Sequence, residues 1–196
     1  KFRIKLVKSD RTSMGDKTIP VDISQDLEDL ASLEPKLRAL LNSGNVIPHF
    51  QPILRFSDMA VVGYEILGRV SDKHLPSNPS ELLELAQCLG YASELSTLFR
   101  EVGVDIGKNL PGSPLLFVNT SQLELLEMDA LLASMERIRD LAPSGKIVLE
   151  INEKAAAGAD EILQLRQALE KMDIGLAFDD FGVGQTRLGE LSNISP

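Results

Sequence analysis

Two periods run through the apolar positions of this 196-residue chain. Phe2, Ile4 and Leu6 alternate with basic residues, which predicts a short strand with one apolar face, followed by a polar turn through Ser13 to Asp16. From Ser24 the spacing becomes helical. Leu27, Leu30, Leu33, Leu37, Leu40 and Leu41 share one face, Ser24 or Asp26 can cap its start, and Asn42-Ser43-Gly44 closes it, with Pro35 expected to break the run into a short and a longer piece. Pro48 to Leu54 predicts a strand entered by one proline and interrupted by another, hence an edge or first position.

Thereafter strands and helices alternate. The pattern predicts strands over 61–67, 114–119, 146–151 and 174–179, helices over 79–89, 92–108, 122–140 and 157–172, and a further helix from Thr186. The strands read as continuous apolar runs with a helix in each connection, so the predicted class is α/β with parallel strands. Residues 1–23 are expected to be a basic strand or tail of an upstream region, 24–44 a linker helix or a lid across the bottom of a barrel, and 45–196 the main domain.

Four of these strands carry an oxygen side chain at or near their end. Val61-Val62-Gly63-Tyr64 runs into Glu65, Leu115-Leu116-Phe117-Val118 into Asn119, Ile147-Val148-Leu149 into Glu150, and Ile174 to Phe178 into Asp179-Asp180. Parallel strands share a direction, so such residues converge on one face, where β/α barrels place their chemistry. Carboxylates gathered there repel one another and are pushed toward protonation unless cations neutralise them. Because every donor is an oxygen, Mg²⁺ or Mn²⁺ suits the set better than a thiolate zinc site, and two ions about 3.5–4 Å apart suit phosphodiester hydrolysis. Taken singly, Glu65 or Glu150 reads more readily as a cap or a solvated carboxylate than as a ligand; the shared placement on four strands is what points to a site.

Composition narrows the partners. With 43% hydrophobic and 25% charged residues the chain is ordinary globular material, and its net charge of −9 argues against a nucleic-acid polymer as ligand. Residues 1 to 17 are locally basic, with six Lys or Arg against Asp10 and Asp16. Cys88 is the single cysteine and is expected to be a buried core thiol on a leucine-rich helix face, which excludes an intramolecular disulfide and fits a cytoplasmic location. No run is long and apolar enough to predict a membrane span. His49 and His74 lack the spacing of a metal pair, and Leu123, Leu125, Leu126, Leu131 and Leu132 are expected to be core.

The motifs resemble a family. Tyr64-Glu65-Ile66-Leu67-Gly68-Arg69, Val118-Asn119-Thr120-Ser121, Leu149-Glu150-Ile151-Asn152-Glu153 and Asp179-Asp180-Phe181-Gly182-Val183-Gly184 are similar, in order, to those of EAL-domain cyclic di-GMP phosphodiesterases, with Phe50-Gln51-Pro52-Ile53 similar to the segment that opens the domain. The resemblance covers about residues 45–196. It implies a TIM-like β/α barrel of which this chain holds about five of eight strands, hydrolysis of cyclic di-GMP to linear pGpG, and Mg²⁺ or Mn²⁺ as cofactor. It also implies roles. Glu65, Asn119, Glu150 and Asp179 would hold one metal, Asp180 would lean toward a second and position water, Arg69 and Gln51 would bind ligand, and Glu153 would brace the loop after Asp180. A fused upstream regulatory domain is implied, and a homodimer is left open.

The chain departs from the family pattern at several points. The signature reads Glu-Ile-Leu rather than Glu-Ala-Leu, Asn152 stands where Thr is usual, and Val183 and Gln185 alter a loop that normally carries Thr and Tyr. Family members continue with a strand bearing a catalytic Lys and with further acidic residues, so the remaining strands are expected to lie beyond Pro196 in the natural protein. The main reading is therefore a metal-dependent phosphodiesterase. The alternative is a receptor for cyclic di-GMP, or a scaffold for a partner protein, without turnover.

Overall fold

The computed structural model describes residues 23–152 and 159–179. Helix α1 (Ile23–Ser43) is followed by strands β1 (Val46–Leu54) and β2 (Val61–Val70), helices α2 (Pro79–Cys88) and α3 (Ala92–Gly107), and strand β3 (Leu115–Asn119). Helices α4 (Gln122–Leu126) and α5 (Met128–Leu141), strand β4 (Lys146–Asn152), helix α6 (Ala159–Lys171) and strand β5 (Ile174–Asp179) complete the described elements. The strands form one sheet in the order β1-β2-β3-β4-β5. β2 to β5 are parallel, and the class is α/β, an open arc of a TIM-like β/α barrel.

β1 lies at the sheet edge, as its two prolines require, but it runs antiparallel to β2. Residues 55–60 are too few for a crossover and instead form a hairpin turn. Arg55 Nη1 donates to Asp58 Oδ2 at 3.0 Å and Ala60 N donates to Asp58 Oδ1 at 3.1 Å, which fixes that turn.

Alternation along the strands divides the sheet into two faces. Ile66, Leu116, Val118, Ile147, Leu149, Ile151 and Ile174 are buried and pack in one core with Val104, Leu131, Met135, Ile138, Ile162, Leu165 and Leu169 of the surrounding helices. The intervening residues point to the opposite face, the inside of the arc. A second core joins α1 through Leu37 and Leu40 to Leu82, Leu85 and Leu95. Close approach of α3 to β2 depends on glycine: a Cβ at Gly68 would run into the Phe99 ring, and one at Gly103 into Ile66.

Four expectations are corrected. α1 continues through Pro35, because the packing of Leu37 and Leu40 outweighs a local penalty of about 3 kcal/mol. Cys88 is exposed: Leu82, Leu85 and Ala86 define the buried face of α2, and position 88 falls on the other side. The helix expected over 122–140 is two helices, parted at Glu127 by a non-helical backbone (φ −112°, ψ 54°). That break leaves Leu123 and Leu126 exposed, the latter at 73%. The basic segment 1–22 and the helix expected from Thr186 lie outside the described residues.

Candidate functional site

The barrel-facing register brings the predicted donors together. Glu65 is the last β2 residue paired with β3, opposite Phe117, and Asn119 follows two residues further along β3. Asn119 pairs with Glu150 on β4, and Asn152 pairs with Asp179 on β5. Because strand side chains repeat every second residue, Glu65, Asn119, Glu150 and Asp179 all project from the same face, beneath which Leu149 and Ile151 anchor β4 to the helices. The strand that carries Glu65 is longer than the expected 61–67. β2 runs on to Val70, held beyond Glu65 by the hairpin with β1.

Contacts between the donors confirm their proximity. Asn119 Nδ2 donates to Glu65 Oε1 at 2.8 Å, a bond that turns the amide oxygen away from Glu65. Glu150 Oε2 is buried and has no hydrogen-bond partner among the described residues. Burial, and then the neighbouring carboxylates of Glu65 and Asp179, raise the Glu150 carboxyl from 4.5 to about 7. Among the described residues, no three His, Cys, Asp or Glu side chains stand together at ligating spacing. The carboxylates sense one another without forming a closed cage.

A cleft of about 400 Å³ opens beside these groups, lined by Arg69, Phe99, Asn119, Thr120, Asn152 and Asp179 among others. The Arg69 guanidinium is half-buried there, with Nη1 donating to Gly68 O at 2.9 Å. Gln51 is exposed on β1 directly opposite Glu65, so the two share a face. A larger cleft of about 870 Å³ lies among α1, α3 and α5 and contains none of the predicted donors. Volume alone would mislead here; chemistry selects the smaller cleft. Asp180, Glu153, Val183 and Gln185 lie outside the described residues.

Donor chemistry is compatible with a divalent cation. An orphaned carboxylate oxygen at Glu150, repulsion from two further carboxylates and an amide oxygen at Asn119 make an all-oxygen set that a hard cation would relieve.

Two residues beside the site escaped the sequence reading. Arg100 on α3 and Glu124 on α4 form a buried ion pair at 2.5 Å, and Arg100 Nη1 donates to Asn119 O at 3.1 Å. Ser121-Gln122-Leu123-Glu124 carries a capping-box spacing that was available as a signal for Glu124. Nothing local marks Arg100, whose partners are 19 to 34 residues away along the chain apart from Thr97.

Comparison with known proteins places this geometry in a lineage. The EAL domain family matches residues 34–196. The probable cyclic di-GMP phosphodiesterase PdeG of Escherichia coli (strain K12) is 27% identical over 175 residues, covering 84% of this chain and 34% of PdeG. This chain thus spans about a third of that relative's length. Among solved structures, the FimX EAL domain from Pseudomonas aeruginosa bound to c-di-GMP superposes with a TM-score of 0.67 at 22% identity, covering 84% of this chain and 67% of that one. The PaMucR phosphodiesterase in complex with c-di-GMP gives a TM-score of 0.67 at 25% identity, covering 82% of this chain and 68% of that one.

Proposed function

The chain belongs to the EAL domain family, and from that premise we propose that it serves metal-dependent hydrolysis of cyclic di-GMP to linear pGpG. The observation that carries the proposal is the placement of Glu65, Asn119, Glu150 and Asp179 on one face of the sheet, with Glu150 Oε2 buried and without a hydrogen-bond partner among the described residues. A half-buried carboxyl raised to about 7 by desolvation and by Glu65 and Asp179 is costly for folding and useful for holding a cation. The names of PdeG, a probable cyclic di-GMP phosphodiesterase, and of PaMucR, a phosphodiesterase, support the substrate class.

Glu65, Asn119, Glu150 and Asp179 would hold Mg²⁺ or Mn²⁺, with Asp180 as a further donor. A bound divalent cation neutralises the carboxylates and supplies an activated water for phosphodiester cleavage. The chain's own residues set the geometry. Asn119 donates to Glu65 and so fixes both side chains before any ion arrives. Arg69 brings a planar, permanently charged fork to the cleft that also holds Asn119 and Asp179, where it would bind a ligand phosphate. Gln51 would contact ligand from the adjoining strand, and Glu153 would brace the loop after Asp180.

A second reading, a cyclic di-GMP receptor or a protein-interaction scaffold without turnover, is motivated by the departures from the family pattern at Val183 and Gln185 in the loop after Asp180. One assay separates the two. Incubating the full natural protein with cyclic di-GMP and Mn²⁺, and resolving products by chromatography, should yield pGpG that disappears with chelator and in Glu65→Ala. Saturable binding of intact cyclic di-GMP with no pGpG under any metal would overturn the enzymatic reading in favour of the receptor.

A further inference from the structure

The loop that presents Asn119 is held by a buried charged clamp. Arg100, 2% exposed, projects from α3 toward the end of β3. Its Nη1 donates to Asn119 O at 3.1 Å, and Nη2 donates to Glu124 Oε1 at 2.5 Å and to Thr97 Oγ1 at 3.2 Å. Nε and Nη2 both reach Ser134 Oγ of α5, at 3.3 and 3.1 Å. The other oxygen of Glu124 collects the next two residues of the chain. Glu124 Oε2 accepts from Thr120 Oγ1 at 3.1 Å, Ser121 N at 2.9 Å and Ser121 Oγ at 3.2 Å.

Residues 119 to 121 are therefore gripped in sequence, Asn119 by its carbonyl and Thr120 and Ser121 through Glu124. Opposite charges inside the clamp cancel, so its effect on the site is geometric rather than a contribution of net field. Asn119 is the residue whose side chain donates to Glu65, and its backbone orientation decides where both atoms of its amide point. A guanidinium is suited to this work because its fork addresses several acceptors at fixed angles, which an ammonium cannot reproduce.

We infer that Arg100 and Glu124 are positioning residues for the cation site, holding the β3 exit so that Asn119 and Glu65 stand in binding geometry. The inference rests on the metal-binding reading given above, and it assigns to neither residue a contact with the ion or the substrate. Partners that orient a ligand in this way are worth about ten- to a hundredfold in metal affinity.

Mn²⁺ binding, measured by calorimetry or electron paramagnetic resonance on the full natural protein without substrate, tests it independently of turnover. Arg100→Lys keeps the charge and loses the fork, and it should raise the Mn²⁺ dissociation constant about tenfold. Because breaking one side of a buried pair can prevent folding, Arg100→Met/Glu124→Gln removes both charges together and should show the same loss in a folded protein. Arg139 supplies the matched control. It holds carbonyls of Gly145 at 2.7 Å and Met172 at 2.7 Å, before β4 and β5 and so at the opposite end of the sheet. Arg139→Lys should lower thermal stability and leave Mn²⁺ affinity unchanged. Parent-like Mn²⁺ affinity in the folded double variant, with Glu65→Ala still abolishing binding, would overturn the positioning role. Parent-like affinity in Glu65→Ala itself would overturn the cation site, and this inference with it.

Discussion

Replacing Glu150 with its neutral isostere should stabilise the metal-free protein at alkaline pH and leave it unchanged in acid. In the fold, burial and then the carboxylates of Glu65 and Asp179 raise this group from 4.5 to about 7. A carboxyl raised in this way favours the folded state when protonated. Its contribution is complete below about 4.5 and is lost as pH rises through about 7. The full shift corresponds to roughly 3 kcal/mol. Glu150 keeps partial contact with solvent, and screening reduces the expected cost of ionisation to about 1.5 kcal/mol. Glu150→Gln cannot ionise and so escapes that cost. In chelator at pH 8 it should melt about 3–6 °C above the parent, at about 2–4 °C per kcal/mol. At pH 4.5 the two should coincide. Added Mn²⁺ should reverse the order at pH 8, because the parent gains more from the ion than the amide does. Thermal melts followed by circular dichroism read all three conditions. The reasoning fails if the variant melts at or below the parent at pH 8 in chelator, or if its advantage is the same at both pH values.

Further outcomes follow from the packing. Gly68→Ala forces a Cβ into Phe99, so it should cost about 1–3 kcal/mol and weaken ligand binding through the adjacent Arg69; an unchanged melt would contradict the close α3–β2 approach. Leu149→Ala, beneath the site and fully buried, should cost about 2–5 kcal/mol in a denaturant titration, and a loss under 1 kcal/mol would contradict its place in the core. Cys88 should react with a thiol reagent in the folded protein as fast as in the unfolded one, and protection in the native state would refute its exposure.

Much of this arrangement was legible along the chain because period and polarity agree on β4. Ile147, Leu149 and Ile151 alternate with Val148 and Glu150, and the structure buries the first set against the helices while turning Glu150 to the other face. The five described strands and the α/β class follow from the same pattern. Direction was harder. The prolines of β1 announced an edge, whereas its antiparallel course follows from the six-residue connection over 55–60. Side-chain face at helix ends was harder still, as Cys88 and Leu126 illustrate, since one residue of phase decides burial. The Arg100 clamp was out of reach for a different reason. Its bonds to Asn119, Glu124 and Ser134 join α3, the end of β3, α4 and α5, and exist only after the chain has folded.

The central claim, that the strand-end oxygens converge to hold a divalent cation, is tested most directly by diffraction from crystals of the full natural protein grown with Mn²⁺ and cyclic di-GMP and measured at the manganese absorption edge. An anomalous peak at about 2.2 Å from oxygens of Glu65, Asn119, Glu150 and Asp179 is the predicted result. Cyclic di-GMP seated in the cleft with no anomalous peak at those four residues would contradict it.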